Sequence, residues 1–280
     1  MVRAYFLAVA VQMLIINALA DAGHIAIAVP PLYGYATAGA GFVYGLGMAL
    51  SMGCAGSVLY RAGEGKLDYM LVSAAFVIGA WFANDWITIP VHAVLRSREL
   101  SVTIPEALSV SRWLPIALLL IALFLWMRRA GSRPYDHGWH WPVTGILVGI
   151  TGVAAWLVSA KTGTYYGLGT MQGSDGLATF FLQGDIMALN WTVFMVAGIP
   201  LGSLIASRLH GKSPGRPLKS QRVPMALTGG FVMGICAAVA AGDNILHGLS
   251  GMPILALSST LFMLCAYAGA WIGIRLNWLK

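Results

Sequence analysis

Charge is what this 280-residue sequence has least of: 10% of its residues are charged, ten of them acidic against 17 Lys and Arg. A soluble domain carries about 25% charged residues, and a wetted surface cannot be covered with so few. The scarcity excludes an ordinary soluble enzyme, a nucleic-acid-binding domain and a disordered chain. Cysteine is nearly as rare. Cys54, Cys236 and Cys265 are odd in number, sit inside apolar stretches and match no zinc or disulfide spacing. Also missing are a nucleophile–base triad, a metal-ligand cluster and a phosphate-binding glycine loop, so no enzyme activity, metal or cofactor is expected. What is abundant is apolar: 58% of the residues, with mean hydropathy +0.76. Apolar runs of helical length recur along the whole chain. They predict an all-α, polytopic membrane protein, one transmembrane domain over 1–280 with the lipid bilayer as its surroundings.

A spanning helix needs roughly 17–25 apolar residues, and eight segments qualify: 4–20, 36–59, 69–90, 113–127, 143–160, 186–207, 225–247 and 254–275. The fourth is the shortest. Basic residues gather on cytoplasmic loops, and the loops orient the set. Segment 208–222 holds Arg208, Lys212, Arg216, Lys219 and Arg222 with no acid; Arg128, Arg129 and Arg133 form a second basic loop, and Arg61 with Lys66 a third. With both termini inside, only Arg96, Arg98, Arg112 and Lys161 fall outside. The net charge of +7 is therefore loop placement, not a nucleic-acid footprint. Residues 1–22, with Arg3 and Ala18-Leu19-Ala20, read either as a cleaved signal peptide or as a retained first helix, and the second is favoured. Residues 161–185 are too polar to span. They form an external loop or a re-entrant element lining a cavity, the one setting in which irregular backbone is tolerated at membrane depth.

The chain also matches itself. Gly41-Phe42-Val43-Tyr44-Gly45 aligns with Gly230-Phe231-Val232-Met233-Gly234 at an offset of 189, which also pairs Gly53 with Gly242 and Cys54 with Asp243. At an offset of 190, Gly79-Ala80-Trp81 aligns with Gly269-Ala270-Trp271. The first copy runs outside to inside and the second inside to outside. Inverted repeats with a site at their interface mark transporters, and the halves predicted are about 1–127 and 141–280. Glycine at these spacings permits either tight helix packing or a helix break. Broken helices meeting near the midplane would offer unpaired N–H groups to an anion.

The run Gly53-Cys54-Ala55-Gly56-Ser57-Val58-Leu59-Tyr60-Arg61-Ala62-Gly63-Glu64-Gly65 resembles the G-C-x-x-G-x-L-Y-R-x-G-E-G signature of the YeeE/YedE family. Its second-half counterpart, G-C-x-x-x-H-G-x-x-G, resembles Gly242 to Gly251, and Asn190-Trp191 to Gly202 is similar to that family as well. The resemblance implies a bacterial inner-membrane importer of thiosulfate or a related sulfur anion. It also implies inverted halves, short helices dipping inward, and membrane cysteines that pass the anion along by S–H contacts. Cys54 matches the signature cysteine. Asp243 stands where the second-half cysteine would be, and nothing before Cys54 supplies the family's N-terminal one.

The candidate substrate-binding and translocation residues are thus Cys54, Gly53, Asp243, Asn244, His247 and Cys236. A carboxyl group inside a membrane helix is costly and marks a site by default; Asp243 is either a satisfied cap or a protonatable group paired with His247 four residues on. Cys236, seven residues before Asp243, is a buried small side chain or part of a thiol path; Cys265 is packing. Asp85, Asp21 and His24 read as span-end polar groups, Tyr165 and Tyr166 as belt aromatics. Two other functions compete with transport. One is an accessory protein docking a cytoplasmic sulfur-carrier or rhodanese-like protein through Arg61–Asp68. The other is a membrane thiol redox protein using Cys54 and Cys236.

Overall fold

The computed structural model describes residues 2–87, 99–129, 139–163, 166–211 and 220–276. Arg96, Arg98, Arg133, Tyr165, Lys212, Arg216, Lys219 and Lys280 lie outside the described residues. Eleven α-helices occur among those described: α1 Val2–Asp21, α2 Tyr35–Leu50, α3 Ala55–Gly63, α4 Leu67–Phe82, α5 Ile104–Ala107, α6 Trp113–Arg129, α7 Trp141–Thr162, α8 Met171–Gln183, α9 Trp191–Leu209, α10 Val223–Val239 and α11 Leu257–Arg275. A π-wound turn, Ala83–Ile87, follows α4, and a second, Leu246–Gly251, lies between α10 and α11. Each of the eight expected spans is helical. Six helical stretches are long and apolar enough to cross a membrane: α1, α2 with α3, α4 with its π turn, α7, α9 and α11. Helices α6 and α10 have 17 residues each, about 26 Å at 1.5 Å per residue.

Two expected spans are not single helices. The run 36–59 breaks after Leu50 and resumes at Ala55, and 225–247 breaks after Val239 and resumes at 244. The physical cause is a repeated stop. The Gly53 N–H donates to the Met48 carbonyl at 3.0 Å, and Gly242 to Ala237 at 2.8 Å. Met52 and Ala241 take left-handed backbone, φ 56° and 58°, a conformation that costs a side-chain-bearing residue roughly 1–2 kcal/mol. Both pairs are related by the 189-residue offset. Residues 186–190 form a 3-10 turn, Ile186–Ala188, so α9 begins at Trp191, where the Asn190 side chain caps the Thr192 N–H at 3.0 Å.

The copies pack reciprocally, and glycine decides how. A Cβ added at Gly41 would stand 2.8 Å from the Phe262 carbonyl oxygen, and one at Gly230 2.6 Å from that of Val72. One turn further, Gly45 meets the Ala266 carbonyl and Gly234 that of Phe76. Helix α2 therefore runs parallel to and against α11, and α4 against α10. Where α2 crosses α10, Gly47 meets Gly229 and Met233, while Ser51 meets Gly229; rising numbers on one helix face falling numbers on the other. The central pair is antiparallel, so the two copies are inverted. Their shared core holds Tyr44, Phe76, Met233 and Phe262, each essentially fully buried.

Within the polar stretch, residues 166–180 are no exposed loop. Gly167, Gly169, Thr170 and Met171 are buried, and the 13-residue α8 packs on α4 and α9. Asn84 donates to Asp175 at 2.7 Å and Gln183 to Asp85 at 2.5 Å, tying α8 to the end of α4. At about 20 Å, α8 is too short to span. Its polarity suits an element shielded by other helices. At the other span end, Asp21 pairs with Arg112 at 3.3 Å and accepts from the Trp113 indole at 2.8 Å.

Candidate functional site

The two breaks bring two short helices to one point. The first is α3, with Cys54 as its extended N-cap residue (φ −80°, ψ 168°). The second is 244–251, with Asp243 in the corresponding place. The Cys54 carbonyl accepts from the Val58 N–H at 3.0 Å and from the Ser57 hydroxyl at 2.9 Å, so the helix start is held through backbone and the thiol plays no part in it. Cys54 is half-buried and forms no disulfide. Gly53 beside it leaves room for the Ser57 hydroxyl, which a side chain at 53 would displace.

Between these helix starts lies the Tyr44 hydroxyl. It donates to the Asn244 Oδ1 at 2.6 Å, with Ala55, the Cys54 thiol and the Asp243 carboxyl as its electrostatic neighbours. Thus the start of each short helix borders the same oxygen. Each helix start carries roughly half a positive charge, and the two starts sum at this spot. Arrays of N–H groups of this kind bind oxyanions.

Asp243 is fully buried and serves as a cap. Its Oδ1 accepts from the Leu246 N–H at 2.9 Å, and its Oδ2 accepts from the Thr170 N–H at 3.1 Å and from the Thr170 hydroxyl. The carboxyl group thereby clamps the polar stretch onto the second short helix. Asp243→Ala leaves two N–H groups, of Leu246 and Thr170, and the Thr170 hydroxyl without their acceptor, at about 1–3 kcal/mol for each buried group left unpaired. The variant should melt several degrees below wild type in detergent, with Asp243→Asn intermediate. An unchanged midpoint for Asp243→Ala would refute the clamp.

His247 does not pair with Asp243 through its side chain. Its Nδ1 lies 2.9 Å from the Ser259 hydroxyl, and its ring stacks on Phe262 at 4.3 Å, which in turn packs on Tyr44 at 5.4 Å. The α-type bond is present, His247 N–H donating to the Asp243 carbonyl at 2.9 Å, but Asp243 is the cap residue, so its carboxyl group turns back onto the Leu246 and Thr170 N–H groups instead of lying along the helix face beside His247. His247 Nε2 is buried with no hydrogen-bond partner among the described residues. It faces the backbone of Gly242, 3.1 Å from where a Cβ would stand. Cys236 is buried in the α10 core, and the Cys265 Cβ lies against Gly41 in the α2–α11 seam.

Cys54, Gly53, Asp243 and Asn244 therefore surround one point, with His247 a layer behind. Sequence reasoning missed Tyr44, Thr170 and Ser259. One signal for Tyr44 was present: it is the single mismatch, against Met233, in the five-residue repeat. A cavity of about 220 Å³ adjoins Leu246 of the second short helix and is lined by Tyr166, Gln172, Asn190 and Thr192.

Comparison with known proteins agrees with an anion-handling centre. A family model described as sulphur transport matches residues 1–272. The thiosulfate transporter TsuA of Escherichia coli (strain K12) is 28% identical over 303 residues, covering 97% of this chain and 82% of that protein. The thiosulfate transporter TsuA of Spirochaeta thermophila is 30% identical over 289 residues, covering 95% of this chain and 86% of that protein.

Proposed function

The chain belongs to the YeeE/YedE sulphur-transport family, and from that premise we propose that it imports thiosulfate, or an anion of the same shape and charge, through the constriction at Cys54. It is a multi-pass membrane protein, a transporter and not an enzyme. One observation carries the reading: the starts of two inverted short helices border the Tyr44 hydroxyl, with the free Cys54 thiol at one of them. The N–H groups suit the sulfonate-like oxygens of such an anion. A thiol is a soft, polarisable donor suited to its terminal sulfur. With Asp243 in the second-half place, Cys54 is the one thiol at this convergence among the described residues, and Asn244 supplies a neutral amide opposite it.

In this proposal the protein sits in the inner membrane with both termini cytoplasmic, because Arg61, Lys66, Arg128, Arg129, Arg208, Arg222 and Arg275 then share one side. The inverted halves divide between α6 and α7. Opposite to those residues, a cavity of about 470 Å³ lined by Asn17, Thr103, Glu106 and Arg112 forms an outer vestibule. A docking role through Arg61–Asp68, to a cytoplasmic sulfur carrier, is less supported. Arg61 bonds within the molecule to the Met52 carbonyl at 3.0 Å and the Tyr69 hydroxyl at 2.8 Å, and Lys66 pairs with Glu64 at 3.2 Å. Those charges hold the loop first.

Expression in a bacterial host stripped of its own thiosulfate uptake tests the proposal. Growth on thiosulfate as sole sulfur source should be restored, with uptake of the radiolabelled anion. Membrane-inserted protein that supports neither would overturn it.

A further inference from the structure

We propose that Tyr44 is the closed gate of this constriction: its hydroxyl occupies the place of a substrate oxygen, and the Tyr44–Asn244 bond must break before the anion can sit there. The inference rests on the transport reading and adds a residue and a state to it.

The hydroxyl has the partners an anion oxygen would seek. Ala55 and Asn244, the first residues of the two short helices, border it from the two inverted copies. Substrate and phenol cannot both occupy that place. The bond to Asn244 Oδ1, at 2.6 Å across 200 residues of sequence, latches α2 to the second short helix. The repeat shows that this latch is local to one copy. Met233, the counterpart of Tyr44, and Ala55, the counterpart of Asn244, have no such pair of polar groups, so one side of the constriction is tied and the other is not.

Ring stacking ties the latch into the core: His247 packs on Phe262 at 4.3 Å and Phe262 on Tyr44 at 5.4 Å, so the phenol is held at its ring as well as at its hydroxyl.

A latch worth one hydrogen bond sets the size of the effect. A net contribution of about 0.5–1.5 kcal/mol corresponds to roughly two- to tenfold in the open population. An anion that binds the open state gains apparent affinity by the same factor.

The experiment compares wild type, Tyr44→Phe, Asn244→Ala and the double variant, full-length in proteoliposomes. The first readout is the rate at which a membrane-impermeant thiosulfonate modifies Cys54, followed by peptide mass spectrometry. The second is the half-saturating thiosulfate concentration for uptake. The gate requires Cys54 modification faster by about two- to tenfold in both single variants, with no further gain in the double variant, and a lower half-saturating concentration in Tyr44→Phe, which leaves Asn244 in place to bind the anion. Two results overturn it. A higher half-saturating concentration with unchanged modification would make Tyr44 a substrate ligand, and no change in either readout would make it packing. Because Asn244→Ala tests the latch from its other end, misfolding of one variant leaves the test intact. If wild type transports no thiosulfate, the function proposal fails separately, and the modification rates still judge the gate.

Discussion

Cys54→Ser is expected to lower thiosulfate uptake by about ten- to a hundredfold while the protein remains inserted and folded. Hydrogen bonds to charged groups contribute about 1.5–3 kcal/mol, and each 1.4 kcal/mol is tenfold, which sets that range. Serine keeps a donor but loses the polarisable sulfur and the longer bond that reaches the anion. Cys54→Ala removes the donor altogether and should do no better. Folding should survive both changes, because Cys54 holds α3 through its own extended backbone and its carbonyl. The checks are initial uptake rates normalised to membrane-inserted protein, together with the detergent melting midpoint. Uptake at the wild-type rate in Cys54→Ala would dispose of the thiol mechanism and leave only the helix starts as the anion site.

The largest effect on stability is expected from Gly234→Leu and, by the repeat, from Gly45→Leu. A Cβ at 234 would run into the Phe76 carbonyl, and one at 45 into the Ala266 carbonyl. Both obstacles are backbone, which cannot swing aside as a side chain does. Overpacking costs about 1–3 kcal/mol when side chains can adjust; pushing two helices apart also forfeits the dispersion contacts along the whole seam. Neither variant should give a monodisperse peak on size exclusion, while Gly202→Leu, which meets open space, should resemble wild type. A monodisperse Gly234→Leu melting within a degree or two of wild type would mean that the α4–α10 seam is looser than its geometry.

The eight spans could be read because the length of an apolar run is a local property, and each of them is helical. Their interruptions were harder to place. Gly53 and Gly242 signal a break, but the residues that turn are Met52 and Ala241, which carry no such signal. For residues 161–185 the sequence left two alternatives, external loop or re-entrant element, because polarity forbids lipid contact without saying what shelters the segment; packing of α8 on α4 and α9 favours the second.

Within the site, Cys54 and Gly53 stood out through their motif, and Asp243 through the cost of a buried carboxyl group. The work Asp243 does was invisible, since its partner Thr170 lies 73 residues earlier. His247 looked like a partner for Asp243 from its spacing, and that spacing holds in the backbone, but a capping carboxyl group turns to the helix start and not along its face.

By itself, then, the sequence determined a lipid-embedded, all-helical chain with two inverted, glycine-interrupted copies, because hydropathy, loop charge and glycine spacing act over a turn or a span. Tertiary structure alone decided that the Tyr44 hydroxyl bonds to Asn244 and that Asp243 caps the second short helix and holds Thr170. Those outcomes depend on donors and acceptors far apart along the chain. Burial in a packed membrane protein forces each of them to choose one partner.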